Sequence, residues 1–143
     1  MIIEETVHIE AELKQIWKLF IDLTGWSVWN TVARDAGSAS GRIEEGEDFT
    51  FSIRPFAVPV ALELAIEDVV PCELVVWSGK KFGIFSRHEW LFQKAQNGVL
   101  VTSREKFQGL PLLLGSLSFP EDTIRKLTVG MLNDLKRAAE RAS

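Results

Sequence analysis

Hydrophobic and polar residues alternate with a period of two through most of this chain and change to a helical period near each end. In residues 1–9, Ile3, Val7 and Ile9 fall on one face and Glu4, Thr6 and His8 on the other, which predicts a half-buried strand. Residues 10–21 switch to spacings of three and four, placing Leu13, Ile16, Trp17 and Phe20 on one side of a helix. Asp22 stands where it can cap a second, short helix that holds Trp26 and Trp29 and ends near Asn30. From Thr31 onward the pattern is that of strands. Phe49, Phe51 and Ile53 alternate with Thr50, Ser52 and Arg54; Val60, Leu62, Leu64 and Ile66 alternate with Ala61, Glu63, Ala65 and Glu67. The small, polar residues 37–41 predict a loop, and Gly46 a turn. Pro55 and Pro59 bound a connection that no central strand tolerates. Pro71 breaks the next run, residues 74–79 form a further strand, and residues 80–83 turn the chain.

A hairpin follows. Residues 85–94 and 99–108 flank Asn97-Gly98, a strong short-range hairpin signal. With those two residues as the loop, Glu89 faces Lys106, an opposite-charge pair suited to a solvated face, which it shares with Arg87, Leu91, Arg104 and Gln108. The inner face then carries His88, Trp90 and Phe92 against Phe107, Glu105 and Ser103, with Val101 next. A slip of two residues keeps these faces; a slip of one exchanges them.

Residues 118–143 predict one long amphipathic helix. Ser118 and Glu121 have capping-box spacing, Pro120 fits a first turn, and Glu121 and Asp122 stand at the positive end of the dipole. Lys136, Arg137 and Arg141 stand at the negative end. Ile124, Leu127, Met131, Leu135 and Ala138 form an apolar stripe, widened by Leu132 and Ala139, while Arg125, Asn133, Lys136 and Glu140 face water. Gly130 costs roughly 1 kcal/mol against Ala in a helix interior, which marks a bend or a close approach. The order of elements predicts an α+β domain over residues 1–143. A curved antiparallel sheet of about seven strands wraps the long C-terminal helix, with two short helices after the first strand.

Composition narrows the function classes. A chain of 143 residues, 46% hydrophobic and 25% charged, is of globular type. Five Trp and nine Phe with no Tyr suit an apolar interior. A net charge of −4 argues against a nucleic-acid partner. The single Cys72 excludes an internal disulfide and a multi-cysteine metal site, and it has no neighbouring His to activate it. His8 lies on the outer face of its strand while His88 points inward, so no metal or other cofactor is expected. Without a signal peptide or a run of about 20 apolar residues, the expected location is the cytoplasm, with no stable membrane insertion.

His88 and Glu105 are the strongest polar candidates, diagonal neighbours on the inner face. They can do general acid–base work, hold a ligand's polar end, or satisfy one another in an apolar core. A carboxylate raises a neighbouring imidazole pKa and apolar surroundings lower it. Trp77, Trp90, Phe92 and Phe107, with Leu127, Met131 and Leu135 of the helix, either line a pocket or fill it. Ser103 can donate to a ligand or to its neighbours. The leucine-rich segment 109–117 needs shelter as a pocket cap, a packed turn, a membrane-docking loop (disfavoured, since no basic cluster flanks it) or a second subunit's contact, the last making a homodimer.

The layout resembles the START/SRPBCC superfamily, the helix-grip domains that include polyketide cyclase/dehydrase-like proteins. The stretches that carry the resemblance are Ile9-Glu10-Ala11 with Ile16-Trp17, Asp22 with Trp26 and Trp29-Asn30, and Leu74-Val75-Val76-Trp77-Ser78-Gly79. His88-Glu89-Trp90-Leu91-Phe92 and Glu105-Lys106-Phe107-Gln108-Gly109 complete it over essentially the full length. The resemblance implies a cavity between sheet and helix that takes lipids, sterols, polyketides or hormones, and in some members cyclase or aromatase activity. Enzymatic members often place Tyr, Arg or Lys in that cavity, and this chain has no Tyr. The expectation is therefore non-catalytic binding of a small hydrophobic ligand. A cyclase- or dehydratase-like acid–base enzyme and an interaction module using residues 109–117 are the alternatives.

Overall fold

The first strand pairs with the last. In the computed structural model, which describes residues 1–109 and 119–142, β1 (Ile2–Ile9) lies antiparallel to β7 (Gly98–Gly109). From β7 the sheet runs through β6 (Ile84–Ala95), β5 (Leu74–Lys81), β4 (Val60–Val70) and β3 (Asp48–Ile53) to the edge strand β2 (Arg34–Ser38). Every pair is antiparallel, so the seven strands form one meander closed against β1. Between β1 and β2 come α1 (Leu13–Ile21), a 3-10 turn (Leu23–Gly25) and α2 (Trp26–Trp29). The long helix α3 (Glu121–Arg141) covers the inner face. The α+β architecture read from the pattern is the one observed.

Several local expectations are corrected. Gly37 and Ser38 belong to β2 rather than to a loop, because they pair with Thr50 and Phe49 of β3. Lys80 and Lys81 extend β5, leaving Phe82 and Gly83 as the turn. Asp22 makes no backbone cap; its carboxylate accepts the Thr24 hydroxyl at 2.6 Å. Helix α3 starts at Glu121, with Pro120 in the cap position, and Ser118 lies outside the described residues.

The β6–β7 register is shifted by two residues from the expected one. Ala95 pairs with Gly98, so Gln96 and Asn97 are the loop, and Glu89 faces Arg104 rather than Lys106. The reason is Gly98. A Cβ there would stand 2.1 Å from the Ile9 carbonyl oxygen, so the glycine serves the close passage of β1's end. Asn97 takes the left-handed turn position, with φ of 58°, which asparagine tolerates. The slip preserves the two faces, as the period of two requires.

Helix α3 is held at its C-terminal half. Leu132, Leu135 and Ala139 are buried in the core with Ile9, Ile16 and Val99. Lys136, expected to face water, donates to the His8 carbonyl at 2.7 Å and to Glu140 at 2.8 Å. Glu140 in turn accepts the Glu10 amide. Asp134, only 4% exposed, accepts both the amide and the hydroxyl of Thr31 at 2.8 Å and pairs with Arg137. One turn earlier, a Cβ on Gly130 would lie 3.2 Å from Val32, so this glycine marks a close approach. Asn30 secures the same segment by accepting the amides of Val32 and Ala33.

Replacing Asp134 by Ala leaves the Thr31 amide and hydroxyl without their acceptor. The expected loss is about 2–3 kcal/mol in urea unfolding, with an unchanged denaturant slope. A midpoint equal to wild type would show that the clamp contributes nothing.

Candidate functional site

The inner face and the helix part company beyond these anchors. A cavity of about 450 Å³ lies between the inner faces of β3–β7 and the N-terminal half of α3. Phe51, Leu62, Leu64, Trp77, Trp90 and Phe107 wall it on the sheet side. Ile124, Leu127, Thr128 and Met131 face them from α3, and Val32 and Ala33 close one flank. The lining extends outward to Phe56 and Phe82, which are 58% and 74% exposed, and to Lys80 and Lys81.

The two readings of the aromatic rings each hold at one end of the molecule. Phe20 of α1 gathers Trp90, Phe92, Trp26 and Trp77 at centroid distances of 4.9, 5.3, 5.9 and 6.1 Å. That cluster fills the space beneath α1 and α2. Past Trp77 and Trp90 the rings spread apart along the walls, and the cavity begins.

Of the residues selected from sequence, Trp77, His88, Trp90, Glu105, Phe107, Leu127 and Met131 line the cavity. Phe92, Ser103 and Leu135 do not. Phe92 packs edge-on to Trp17 at 5.2 Å, within the filled end. Leu135 is 1% exposed, on the half of α3 that touches α1 and β1. Ser103 is fully buried behind His88. Facing is set by the strand period, but distance from the helix is set by position along the strand, which the period does not contain. Among lining residues that the pattern passed over, Ser86 shares the inner face of β6 with His88, and Thr128 stands four residues after Ile124. Both are polar, and a stripe of apolar positions skips them. The leucine-rich stretch beyond Gly109 lies outside the described residues.

The observed register makes His88 and Glu105 direct partners rather than diagonal ones. His88 Nδ1 stands 3.6 Å from Glu105 Oε1, and Nε2 stands 2.6 Å from the Ser103 hydroxyl. His88 Nε2 is the one acceptor for the Ser103 proton among the described residues. A buried hydroxyl donates when it has an acceptor, so this assigns the ring proton to Nδ1, aimed at Glu105. His88 also stacks on Trp90 at 4.8 Å. Glu105 accepts a hydrogen bond from Ser86.

Burial decides both protonation states. It pushes His88 down to about 3 from its ordinary 6.5, so the imidazole is neutral at physiological pH. It pushes Glu105 up to about 7 from 4.5, and the Ser86 hydrogen bond only partly opposes this. The apolar walls outweigh the mutual attraction of the pair. Among the described residues no Lys or Arg reaches Glu105, and residues 110–118 contain none.

No protein-family model matches the sequence, and no curated protein sequence does. Solved structures do match in shape. The hypothetical protein jhp0584 of Helicobacter pylori superposes with a TM-score of 0.77 at 15% identity, over 97% of this chain and 88% of that one. KanY gives 0.77 at 16% identity, over 98% of this chain and 97% of its own. The di-domain ARO/CYC protein StfQ of the steffimycin biosynthetic pathway gives 0.78 at 13% identity, over 99% of this chain and 52% of StfQ. The chain thus shares the fold of these proteins, a curved antiparallel sheet wrapped around a long C-terminal helix. Among the described residues no helix is long and apolar enough to cross a membrane.

The two shifts act on stability with opposite signs. Neutral His88 contributes stability above about pH 6.5 that is lost as pH falls toward 3. Protonated Glu105 contributes stability below about pH 4.5 that is lost as pH rises toward 7. Between 4.5 and 6.5 the slopes cancel, so the wild type is expected to be flat there. Glu105→Gln removes one slope and should lose about 2–3 kcal/mol on going from pH 6.5 to 4.5. Urea unfolding across that window checks it; a Glu105→Gln profile as flat as wild type would refute the assignment.

Proposed function

We propose that this protein binds a small, mostly apolar molecule in the cavity between sheet and α3, with Glu105 and His88 meeting the ligand's polar group, and that the binding is non-catalytic. The observation that carries the reading is the cavity itself, about 450 Å³ of space walled mainly by rings and aliphatic side chains, with the Glu105 carboxyl in the wall and the exposed Glu63, Lys80 and Lys81 at its margin. Empty apolar volume of that size forfeits packing contacts, and it lies within the range of small-molecule sites. Of the sequence-selected residues, Trp77, Trp90, Phe107, Leu127 and Met131 supply the apolar contact, and Ser103 acts only through His88. A small-molecule partner in the cytoplasm, without nucleic acid or cofactor, completes the reading.

The test is native mass spectrometry of the purified protein together with titration of an environment-sensitive apolar dye. Wild type should carry an apolar adduct or bind the dye with about one site. Leu127→Trp places a ring in the cavity and should weaken binding at least tenfold while folding normally. Dye binding that is unchanged in this variant would place the ligand elsewhere. Trp90→Ala should enlarge the cavity and shift selection toward bulkier dyes, at a stability cost of about 3–5 kcal/mol.

One observation favours a second reading, acid–base catalysis on a polyketide-type substrate. A carboxyl held near neutrality at a cavity wall is matched to proton transfer at working pH. StfQ, an ARO/CYC protein, has the same fold. This reading predicts turnover with a pH dependence near 7 that Glu105→Gln abolishes.

A further inference from the structure

Among the described residues, no Lys or Arg forms a salt bridge with Glu105. Its nearest charged candidate is His88, at 3.6 Å, and that ring is neutral. Near this end of the fold Arg125 and the Met1 amino group are engaged elsewhere, and Lys80, which touches the lining on β5, forms no salt bridge with Glu105. Arg125 of α3 bonds Glu5 of β1 at 2.9 Å and also reaches Glu121, and the Met1 amino group donates to the Phe107 carbonyl. Ile3, the β1 partner of Glu105, brings no charge. Lys81 and Glu63 touch the lining on β5 and β4, and neither is paired with Glu105. The stretch 110–118 holds no basic residue. Around the carboxyl, Trp77, Trp90 and Phe107 present aromatic rings to the same space.

A carboxylate among aromatic walls is the chemistry that recognises an organic ammonium. The rings attract a cation through their quadrupoles, and the carboxylate supplies the charge that balances it. An anionic ligand group would meet repulsion here. A neutral hydroxyl would leave the carboxyl as poorly compensated as before. Resting on the cavity reading above, we propose that the preferred ligand is an apolar or aromatic amine whose ammonium group pairs with Glu105. In the empty cavity the carboxyl carries a proton for much of the time at neutral pH, because burial favours the uncharged form. The ammonium restores the charged form, so binding transfers that proton from Glu105 to solvent. His88 Nδ1–H then donates to the carboxylate, with Ser103 holding the tautomer.

The experiment is isothermal titration of the full chain with three matched probes: naphthylmethylamine, naphthylmethanol and naphthoate. The amine is expected to bind roughly tenfold more tightly than either of the others near pH 7.5. Its affinity should fall roughly tenfold from about pH 8 to about pH 6, where the carboxyl must first lose its proton, while the alcohol changes little. Repeating the amine titration near pH 6 in buffers of different ionisation heat should show release of close to one proton, a wild-type readout that needs no variant. Glu105→Gln should abolish the amine's advantage over the alcohol and the proton release, which removes the general attraction of a cation to an acidic protein as an explanation. Equal amine and alcohol affinities, or an amine preference that survives Glu105→Gln, overturns the ammonium assignment and leaves the cavity reading standing. No binding of any probe, nor of anilinonaphthalene sulfonate, overturns the cavity reading itself.

Discussion

The hold of the sheet and the chain's first third on the C-terminal half of α3 is the constraint from which the site follows. Asp134 grips Thr31, Lys136 and Glu140 reach the end of β1, and Leu132, Leu135 and Ala139 enter the core. These contacts lie between residues 131 and 140, while the helix begins ten residues earlier at Glu121. The C-terminal half therefore packs, and the N-terminal half, tied to β1 through Arg125 and Glu5, stands over the curved sheet. Over this length a helix curves only gently, whereas an antiparallel sheet twists. The wedge between them is the cavity. Gly130 sits at the transition, where Val32 comes close enough to seal the flank.

That wedge has an electrostatic consequence. The inner face of β6 and β7 carries two ionisable side chains side by side, His88 and Glu105, in surroundings that penalise charge on either. Each takes its neutral form over a wider pH range than it would in water. Ser103 contributes from behind by fixing which imidazole nitrogen faces the carboxyl. The result is a polar wall made of hydrogen-bond donors and one carboxyl poised to change its charge when its surroundings change.

Much of this was legible in the sequence. The period of two along the strands and of three to four along α1 and α3 fixes the faces, so the pattern alone turns His88, Trp90 and Glu105 inward. Even the two-residue error in hairpin register left those faces intact. What the pattern lacks is distance. Phe92, Ser103 and Leu135 have the right facing and the wrong position along their elements, because where α3 lifts away depends on long-range contacts such as Asp134 with Thr31. Asp134 itself reads as a polar residue among the charges of an exposed helix face, and nothing local marks it as buried. Gly98 looked like half of a hairpin loop and proved to be the point where β1 passes. The order of the imidazole shift was open in sequence, since a neighbouring carboxylate and an apolar wall pull it in opposite directions; the depth of burial decides it.

Glu105 stands in an apolar cavity wall with no Lys or Arg beside it among the described residues, and its own titration measures the consequence directly. In ligand-free protein with carbon-13 in its glutamate side chains, the carboxyl resonance of Glu105, assigned with Glu105→Gln, should shift with a midpoint near 7. A midpoint at the ordinary 4.5 would mean that water or an unseen cation reaches this carboxyl, and the cavity described here would not be the protein's resting state.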